Sequence, residues 1–152
     1  MSGRVKAAFF FFGTVLLDQL VKYCVELTML PGESIPIVPP FFHITFVLNP
    51  GAAFGIFEYQ QWLFLVTAAA FCAVFLAFYE RLHRSGTLIH YGAVALAAGA
   101  VSNMIDRVRT GHVVDFFDFR IWPVFNVADI AIVLGTAAVL WAFFVQKKEL
   151  PR

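Results

Sequence analysis

The chain has 152 residues, of which 61% are hydrophobic and only 14% charged, and its formal net charge is +1. Soluble domains carry about 25% charged residues, so this composition excludes an ordinary soluble domain. A nearly neutral chain also argues against a nucleic-acid partner, because phosphate binding needs a concentrated basic surface. Four membrane-spanning helices would use roughly 80 residues, and we therefore expect a single membrane domain over residues 1–152.

Four apolar stretches predict membrane-spanning helices. They cover residues 7–30, 62–79, 87–106 and 127–145. The first stretch is unusual because its second half carries Asp18, Lys22 and Glu26. A signal peptide is the alternative here, since two basic residues precede a short apolar run, but charges follow that run and no small-residue cleavage site does.

The distribution of lysine and arginine predicts that both termini are cytoplasmic. Basic residues occur before the first span, between the second and third, and after the fourth, at Arg4, Lys6, Arg81, Arg84, Lys147, Lys148 and Arg152. Residues 28–61 contain none. Arg107, Arg109 and Arg120 break this pattern on the outer side, and we expect them to have a role at the outer surface.

The first outer loop, residues 31–61, predicts a small β-sheet. Residues 41–48 are rich in β-branched and aromatic side chains and predict a strand that ends at a turn of Asn49, Pro50 and Gly51. A second short strand at residues 53–57 would pair back across this turn. The predicted fold class is an all-α membrane protein with four transmembrane helices and a small extracytoplasmic β-sheet in this loop.

Polar residues gather at the predicted outer ends of the first, third and fourth spans, where ionisable groups by default indicate a functional site. On the third span, one helical face carries Gly99, Asn103, Asp106 and Arg107. This face could form the wall of a site. The alternative is that Asp106 and Arg107 join Asp18 and Lys22 in an ion-pair cluster that holds helices together.

Three aspartates lie at or shortly before the start of the fourth span. Asp115 is flanked by hydrophobic residues, which oppose its ionisation if they desolvate it. Asp118 falls in a different phase of the local pattern and is expected to be a solvated or capping residue. Asn126 has the chemistry of an N-cap, which would place Asp129 at a helix position that favours a carboxylate.

A second interpretation of Asp129 is that it faces Asp115 across a cleft. Two carboxylates in a dry site share one proton and titrate as a unit. Such a pair activates water for attack on an amide, because one member accepts a proton while the other donates one. The helix dipole favours the ionised form of Asp129, so we predict that Asp115 is the protonated member at rest.

Motifs for other chemistries are missing from the sequence. It contains no G-x-S-x-G, no H-E-x-x-H, no Cys/His cluster and no glycine-rich nucleotide motif, so we expect neither a metal nor a cofactor. A small transporter or proton-coupled channel remains an alternative, because these also bury acids and amides. A scaffold whose polar groups serve only helix association is another.

Five motifs in order resemble the lipoprotein signal peptidase (signal peptidase II) family. They are DQLVK at residues 18–22, NPGAAF at 49–54, GAVSNMIDR at 99–107, GHVVDF at 111–116 and FNVAD at 125–129. One such block would be weak evidence, whereas five in order over most of the chain are specific. The segment 116–125 is a few residues shorter than is usual in the family, which leaves the structure of any lid there open.

The resemblance implies a four-helix inner-membrane aspartyl peptidase with a small outer β-cradle. It would cleave diacylglyceryl-modified prolipoproteins just before the lipidated cysteine, with Asp115 and Asp129 as the catalytic pair. The positions that match the family's substrate-binding residues are Asn49, Gly51, Asn103, Arg107 and Asn126. The positions that match its supporting polar residues are Asp18, Lys22 and Asp106. The implied partners are prolipoproteins, membrane lipids and globomycin-type inhibitors, and we expect a monomer.

Overall fold

The computed structural model of the chain describes residues 1–51 and 60–148. Within them, the helices are α1 (Gly3–Thr28), α2 (Gln61–Arg84), α3 (Thr87–Thr110) and α4 (Val127–Lys148), and the strands are β1 (Ser34–Val38), β2 (Phe42–Asn49) and β3 (Val113–Asp118). All four helices are long and apolar enough to cross a membrane. The predicted four-span architecture is confirmed, and the chain is a multi-pass membrane protein.

Helix α3 is the central helix of the bundle. In its most apolar stretch 61% of the residues are buried by protein, against 6% in α2. Small residues allow α4 to approach α3 closely: a Cβ on Gly92 would lie 2.9 Å from the carbonyl oxygen of Gly135, and a Cβ on Gly99 would collide with the carbonyl oxygen of Ala128. This approach brings the first turn of α4 against α3.

The three strands form an antiparallel sheet in the order β1, β2, β3. The predicted strand at residues 41–48 is β2, whereas its predicted partner at residues 53–57 lies outside the described residues. The observed partners are β1, which contains Pro36 and occupies an edge where proline is tolerated, and β3, which comes from the connection between α3 and α4. The sheet therefore combines both loops at this end of the bundle, hereafter the sheet end.

A hydrophobic core attaches the sheet to the end of α1. It consists of Val25, Met29, Phe46, Val114 and Phe116. Because side chains alternate along a strand, the inward positions of Val114 and Phe116 direct the intervening Asp115 away from this core.

Helix α1 is an integral part of the bundle. It is continuous from Gly3 to Thr28, and its Asp18 and Lys22 are fully buried. Gln19 reaches α3, where its amide donates to the Ser102 hydroxyl at 3.0 Å. A signal peptide ending near residue 17 does not fit a helix that is continuous through these contacts.

Candidate active site

A buried ion-pair cluster joins α1 to α3. The Lys22 ammonium lies 2.7 Å from Asp18 and 2.7 Å from Asp106, and it donates to Asn103 Oδ1 at 2.8 Å. An ammonium has three donors, and all three are used here. The contacts match the ion-pair alternative for Asp106 but not for Arg107, which lines the cavity described below.

The two acids of this cluster also hold the neighbouring elements. Asp18 Oδ1 accepts from the backbone N–H of Ala128 in the first turn of α4 at 2.9 Å. Asp106 Oδ2 accepts from the backbone N–H of Val114 in β3 at 3.3 Å. The cluster therefore sets where β3 and the start of α4 lie relative to α1 and α3.

Helix α4 begins with a reciprocal capping box. The backbone N–H of Asp129 donates to Asn126 Oδ1 at 2.8 Å, and the backbone N–H of Asn126 donates to Asp129 Oδ2 at 3.2 Å. The other oxygen of Asp129 accepts from Asn103 Nδ2 at 2.8 Å. Asp129 is thus a capping residue of α4, and it also lines the cavity described below.

Asp115 is held from both sides by amides. Its Oδ1 accepts from Asn126 Nδ2 at 2.6 Å, and its Oδ2 accepts from Asn49 Nδ2 at 2.8 Å. Burial and the nearby charge of Asp129 raise the pKa of Asp115 to about 7, although the hydrogen bonds from Asn49 and Asn126 oppose the shift. Asp115 therefore carries a proton near neutral pH far more often than an ordinary aspartate.

The contacts determine the orientation of both asparagine amides. Lys22 can only donate, so Asn103 must turn Oδ1 towards it and Nδ2 towards Asp129. Asn126 accepts the backbone N–H of Asp129 with Oδ1, so its Nδ2 faces Asp115. Each carboxylate consequently receives an oriented N–H donor.

Asp115 and Asp129 line one cavity of about 490 Å³ at the sheet end of the bundle. Asn49, Gly51, Asn103 and Arg107 also line it, whereas Asn126 is fully buried behind it. The rest of its wall comes from β3, from the β3–α4 connection and from residues of α2, α3 and α4 that are apolar except for Thr67. The cavity therefore has a polar region at the two acids and an apolar region between membrane-spanning helices.

The three arginines predicted at the outer surface each have a protein partner. Arg107 donates to the carbonyl oxygen of Gly51 at 3.0 Å, and its guanidinium carbon lies 4.4 Å from the centre of the Phe64 ring. Arg109 pairs with Glu26 at 2.7 Å, and Arg120 bonds to the sheet. Only Arg107 of the three lines the cavity.

The expectation that Asp118 is solvated is wrong, because this residue is 5% exposed. Its Oδ1 accepts from the backbone N–H of Arg120 at 2.8 Å, so the capping role is present, and its Oδ2 accepts from the Thr45 hydroxyl at 2.7 Å. Burial raises the pKa of Asp118, but the hydrogen bonds from Thr45 and Arg120 outweigh it and lower the pKa overall.

Sequence reasoning missed the cavity wall contributed by α2 and by the β3–α4 connection. Phe64, Thr67 and Trp122 line the cavity, yet nothing in their local pattern distinguishes them from lipid-facing or loop residues. Within the described residues, no group of three or more His, Cys, Asp or Glu side chains could hold a metal ion.

Comparisons with known proteins agree with this architecture. A family model described as signal peptidase (SPase) II matches residues 10–145. The lipoprotein signal peptidase of Pelotomaculum thermopropionicum is 46% identical over 128 residues, 84% of each chain. That of Clostridioides difficile is 41% identical over 136 residues, 88% of this chain and 91% of the relative.

The fold itself is similar to that of a solved protein described as a bacterial membrane enzyme, determined by the in meso method at 2.3 Å resolution. The TM-score is 0.90 at 30% identity, over 97% of this chain and 93% of the other. Fold and cavity thus define a multi-pass membrane enzyme. The chain belongs to the signal peptidase II family, so it is a membrane peptidase, as its five motifs predicted.

Proposed function

We propose that this peptidase removes the signal peptide from diacylglyceryl-modified prolipoproteins, just before the lipidated cysteine, with Asp115 and Asp129 as an aspartic dyad. One observation carries the proposal: both carboxylates line the same cavity, and each accepts N–H donors from oriented asparagines. Among the described residues neither acid has a salt bridge, and Arg107 and Lys22 attract the pair electrostatically without a direct ion pair, so the two acids are suited to sharing a proton.

The two acids have different roles in this mechanism. Asp129 lies in the first turn of α4, where the helix dipole and the backbone N–H of Asn126 stabilise its ionised form. Asp115, with a pKa of about 7, holds the shared proton at rest. Asp129 then accepts a proton from the attacking water while Asp115 donates its proton towards the carbonyl oxygen of the scissile amide.

The depth of the site supports a lipid-anchored substrate. Asp129 is in the first turn of a membrane-spanning helix and Asp115 is in the adjoining sheet, whereas Ala68, Leu96 and Ile132 continue the cavity between the helices. Acyl chains on the substrate cysteine would keep the scissile bond at this level while they remain in the bilayer.

The remaining assignments follow from the same arrangement. Asn49, Gly51, Asn103, Arg107 and Asn126 position the substrate or the dyad, and Arg107 is placed to donate to substrate carbonyls or to a lipid phosphate. The cavity is where globomycin-type inhibitors would bind. A monomeric enzyme is part of the same proposal.

The location is proposed from charge. Arg4 and Lys6 at the start of α1, and Arg81 and Arg84 at the end of α2, lie at the bundle end opposite the sheet. The positive-inside rule makes that end cytoplasmic. The enzyme then lies in the bacterial inner membrane with both termini in the cytoplasm and its site on the outer face.

The test is cleavage of a synthetic prolipoprotein peptide by the purified chain in lipid vesicles, with products identified by mass spectrometry. Asp115→Asn and Asp129→Asn should each lower kcat by about 10²–10⁴-fold, because each removes one half of the proton transfer. Glu26→Gln is the matched control, since it removes a carboxylate at the sheet end of α1 that lies outside the cavity and pairs with Arg109.

Two further arms of this experiment separate the proposal from its competitors. Thermal unfolding must be as cooperative in both aspartate variants as in the wild type, so that lost activity reports chemistry. The same peptide with an unmodified cysteine should be cleaved poorly. Substantial cleavage by either aspartate variant, or equal cleavage with and without lipid, would contradict the proposal.

A further inference from the structure

A second polar cluster, the sheet cluster, lies outside the cavity. It consists of Ser34, His43, Thr45, Asp118 and Arg120. The guanidinium of Arg120 donates to Ser34 Oγ at 2.8 Å and to His43 Nδ1 at 2.6 Å, and it lies 3.4 Å from Asp118. None of these groups has a part in the chemistry proposed above.

In the sheet cluster each hydroxyl group accepts a hydrogen bond from one neighbour and donates to the next. The Thr45 hydroxyl donates to Asp118, so its oxygen accepts from the Ser34 hydroxyl at 2.8 Å. Ser34 in turn accepts from Arg120, which also pairs with Asp118. Each donor in this circuit has an acceptor, and closed networks of this kind hold a single geometry.

Arg120 belongs to the connection between β3 and α4, which forms part of the cavity wall. Trp122, Pro123, Val124 and Phe125 of this connection line the cavity. Phe125 is already held by backbone hydrogen bonds with Phe117, but Ile121 next to Arg120 is 92% exposed. Arg120 itself has φ 65°, an uncommon conformation for a residue other than glycine that surrounding contacts must hold.

We propose that Arg120 is a positioning residue for substrate: its side chain ties the middle of the β3–α4 connection to β1 and β2 and so holds the cavity wall at residues 122–125. This inference rests on the proposed function. The hydrogen bonds of the two catalytic acids run to Asn49, Asn103 and Asn126, not to Arg120. Releasing Arg120 should therefore weaken substrate binding and leave the chemical step intact.

The experiment measures kcat and KM separately with the lipidated peptide. Arg120→Ala should raise KM about tenfold, the scale of one lost charge-assisted hydrogen bond, with kcat changed by less than about twofold. Arg120→Lys should recover only part of this, because an ammonium does not reproduce the planar fork whose Nη2 reaches Ser34 and His43 while its Nη1 faces Asp118. Arg109→Ala, which removes an arginine that pairs with Glu26 outside the cavity, should leave both constants unchanged.

A double-mutant cycle identifies the partner. His43→Phe should raise KM less than Arg120→Ala does, and the double variant should be no worse than Arg120→Ala alone, because both changes remove the same bond. Backbone hydrogen exchange of residues 119–124 should accelerate in Arg120→Ala and not in Arg109→Ala.

The outcomes are decisive in both directions. An unchanged KM in Arg120→Ala, a fall in kcat alone, or additive effects in the cycle would overturn the role of Arg120 while leaving the proposed function standing. A wild-type protein that fails to cleave the lipidated peptide would overturn both.

Discussion

Two pairs of acids at the sheet end of the bundle differ in how their charge is balanced. In the ion-pair cluster, Asp18 and Asp106 contact the ammonium of Lys22 at 2.7 Å. In the dyad, Asp115 and Asp129 receive only neutral N–H donors among the described residues. In the proposed mechanism, the carboxylates that contact the Lys22 ammonium are structural, whereas those whose hydrogen-bond donors are neutral are reactive.

Asn103 connects the two groups. Its Oδ1 accepts from Lys22 of the cluster, and its Nδ2 donates to Asp129 of the dyad. The ion-pair cluster therefore orients an amide that donates to the proposed dyad. Breaking the cluster should disturb both folding and activity, whereas breaking the dyad should disturb activity with a smaller effect on stability.

The largest expected effect on stability comes from Lys22→Met. It leaves two buried carboxylates without their cation, and removal of one partner of a buried pair costs about 3–5 kcal/mol. Thermal unfolding in detergent should show a large fall in Tm. Adding Asp106→Asn to this variant should restore part of the loss, because it removes one uncompensated charge. A Lys22→Met protein as stable as the wild type would contradict the structural role of the cluster.

Gly99→Ala tests whether activity and stability depend on the close approach of α3 to α4, the helix that carries Asp129. The added Cβ would collide with the carbonyl oxygen of Ala128 and approach Ile132, which forces α4 away from α3 and moves Asp129. Overpacking of this kind costs about 1–3 kcal/mol, and kcat should fall as well. Gly13→Ala in α1 is the matched control, since its Cβ meets no atom within 4 Å. Equal behaviour of the two variants would refute the close approach.

The dependence of stability on pH should distinguish the dyad from the cluster. Because the folded-state pKa of Asp115 is raised to about 7, its contribution to stability is fully present below the unfolded pKa of about 3.9 and is lost as pH rises through 7. The Tm of the wild type should therefore fall relative to that of Asp115→Asn between these values and run parallel above them. A constant difference in Tm across this range would contradict the raised pKa.

The smallest effect is expected at the surface pair of Arg109 and Glu26. Their side chains are 43% and 23% exposed, and exposed pairs contribute about 0–1 kcal/mol. Glu26→Gln should thus shift Tm far less than Lys22→Met does, and the shift should shrink in high salt. A loss comparable to that of Lys22→Met would mean that burial does not separate the two kinds of ion pair.

The helices could be predicted from sequence because hydropathy is a local property, whereas two of the three strands could not. The strand β3 pairs with β2, although helices α2 and α3 lie between the two strands in the sequence. No short-range sequence pattern therefore reveals this pairing. Its residues also belong to the GHVVDF motif, which the family resemblance assigned to the active site and not to a strand. The strand β1 contains Pro36, which disfavours a strand except at an edge.

Helical spacing predicted one polar face on α3, but the structure divides that face. At about 100° per residue, Asp106 and Arg107 lie on opposite margins of the arc and Asn103 lies between them. Asp106 accordingly turns to Lys22 of α1, Arg107 turns to the cavity, and Asn103 reaches both groups. Helical spacing alone predicts which residues share the polar face of α3. Their division between the ion-pair cluster and the cavity depends on which helix packs against each side of that face.

An infrared titration shows directly which of Asp115 and Asp129 holds the shared proton. Difference spectra between the wild type and Asp115→Asn, and between the wild type and Asp129→Asn, assign the carbonyl stretch of a protonated carboxyl group to one residue. We predict a protonated Asp115 below pH 7 whose band disappears as pH rises through about 7. An ionised Asp115 across that range, or a band lost only in Asp129→Asn, would contradict the account.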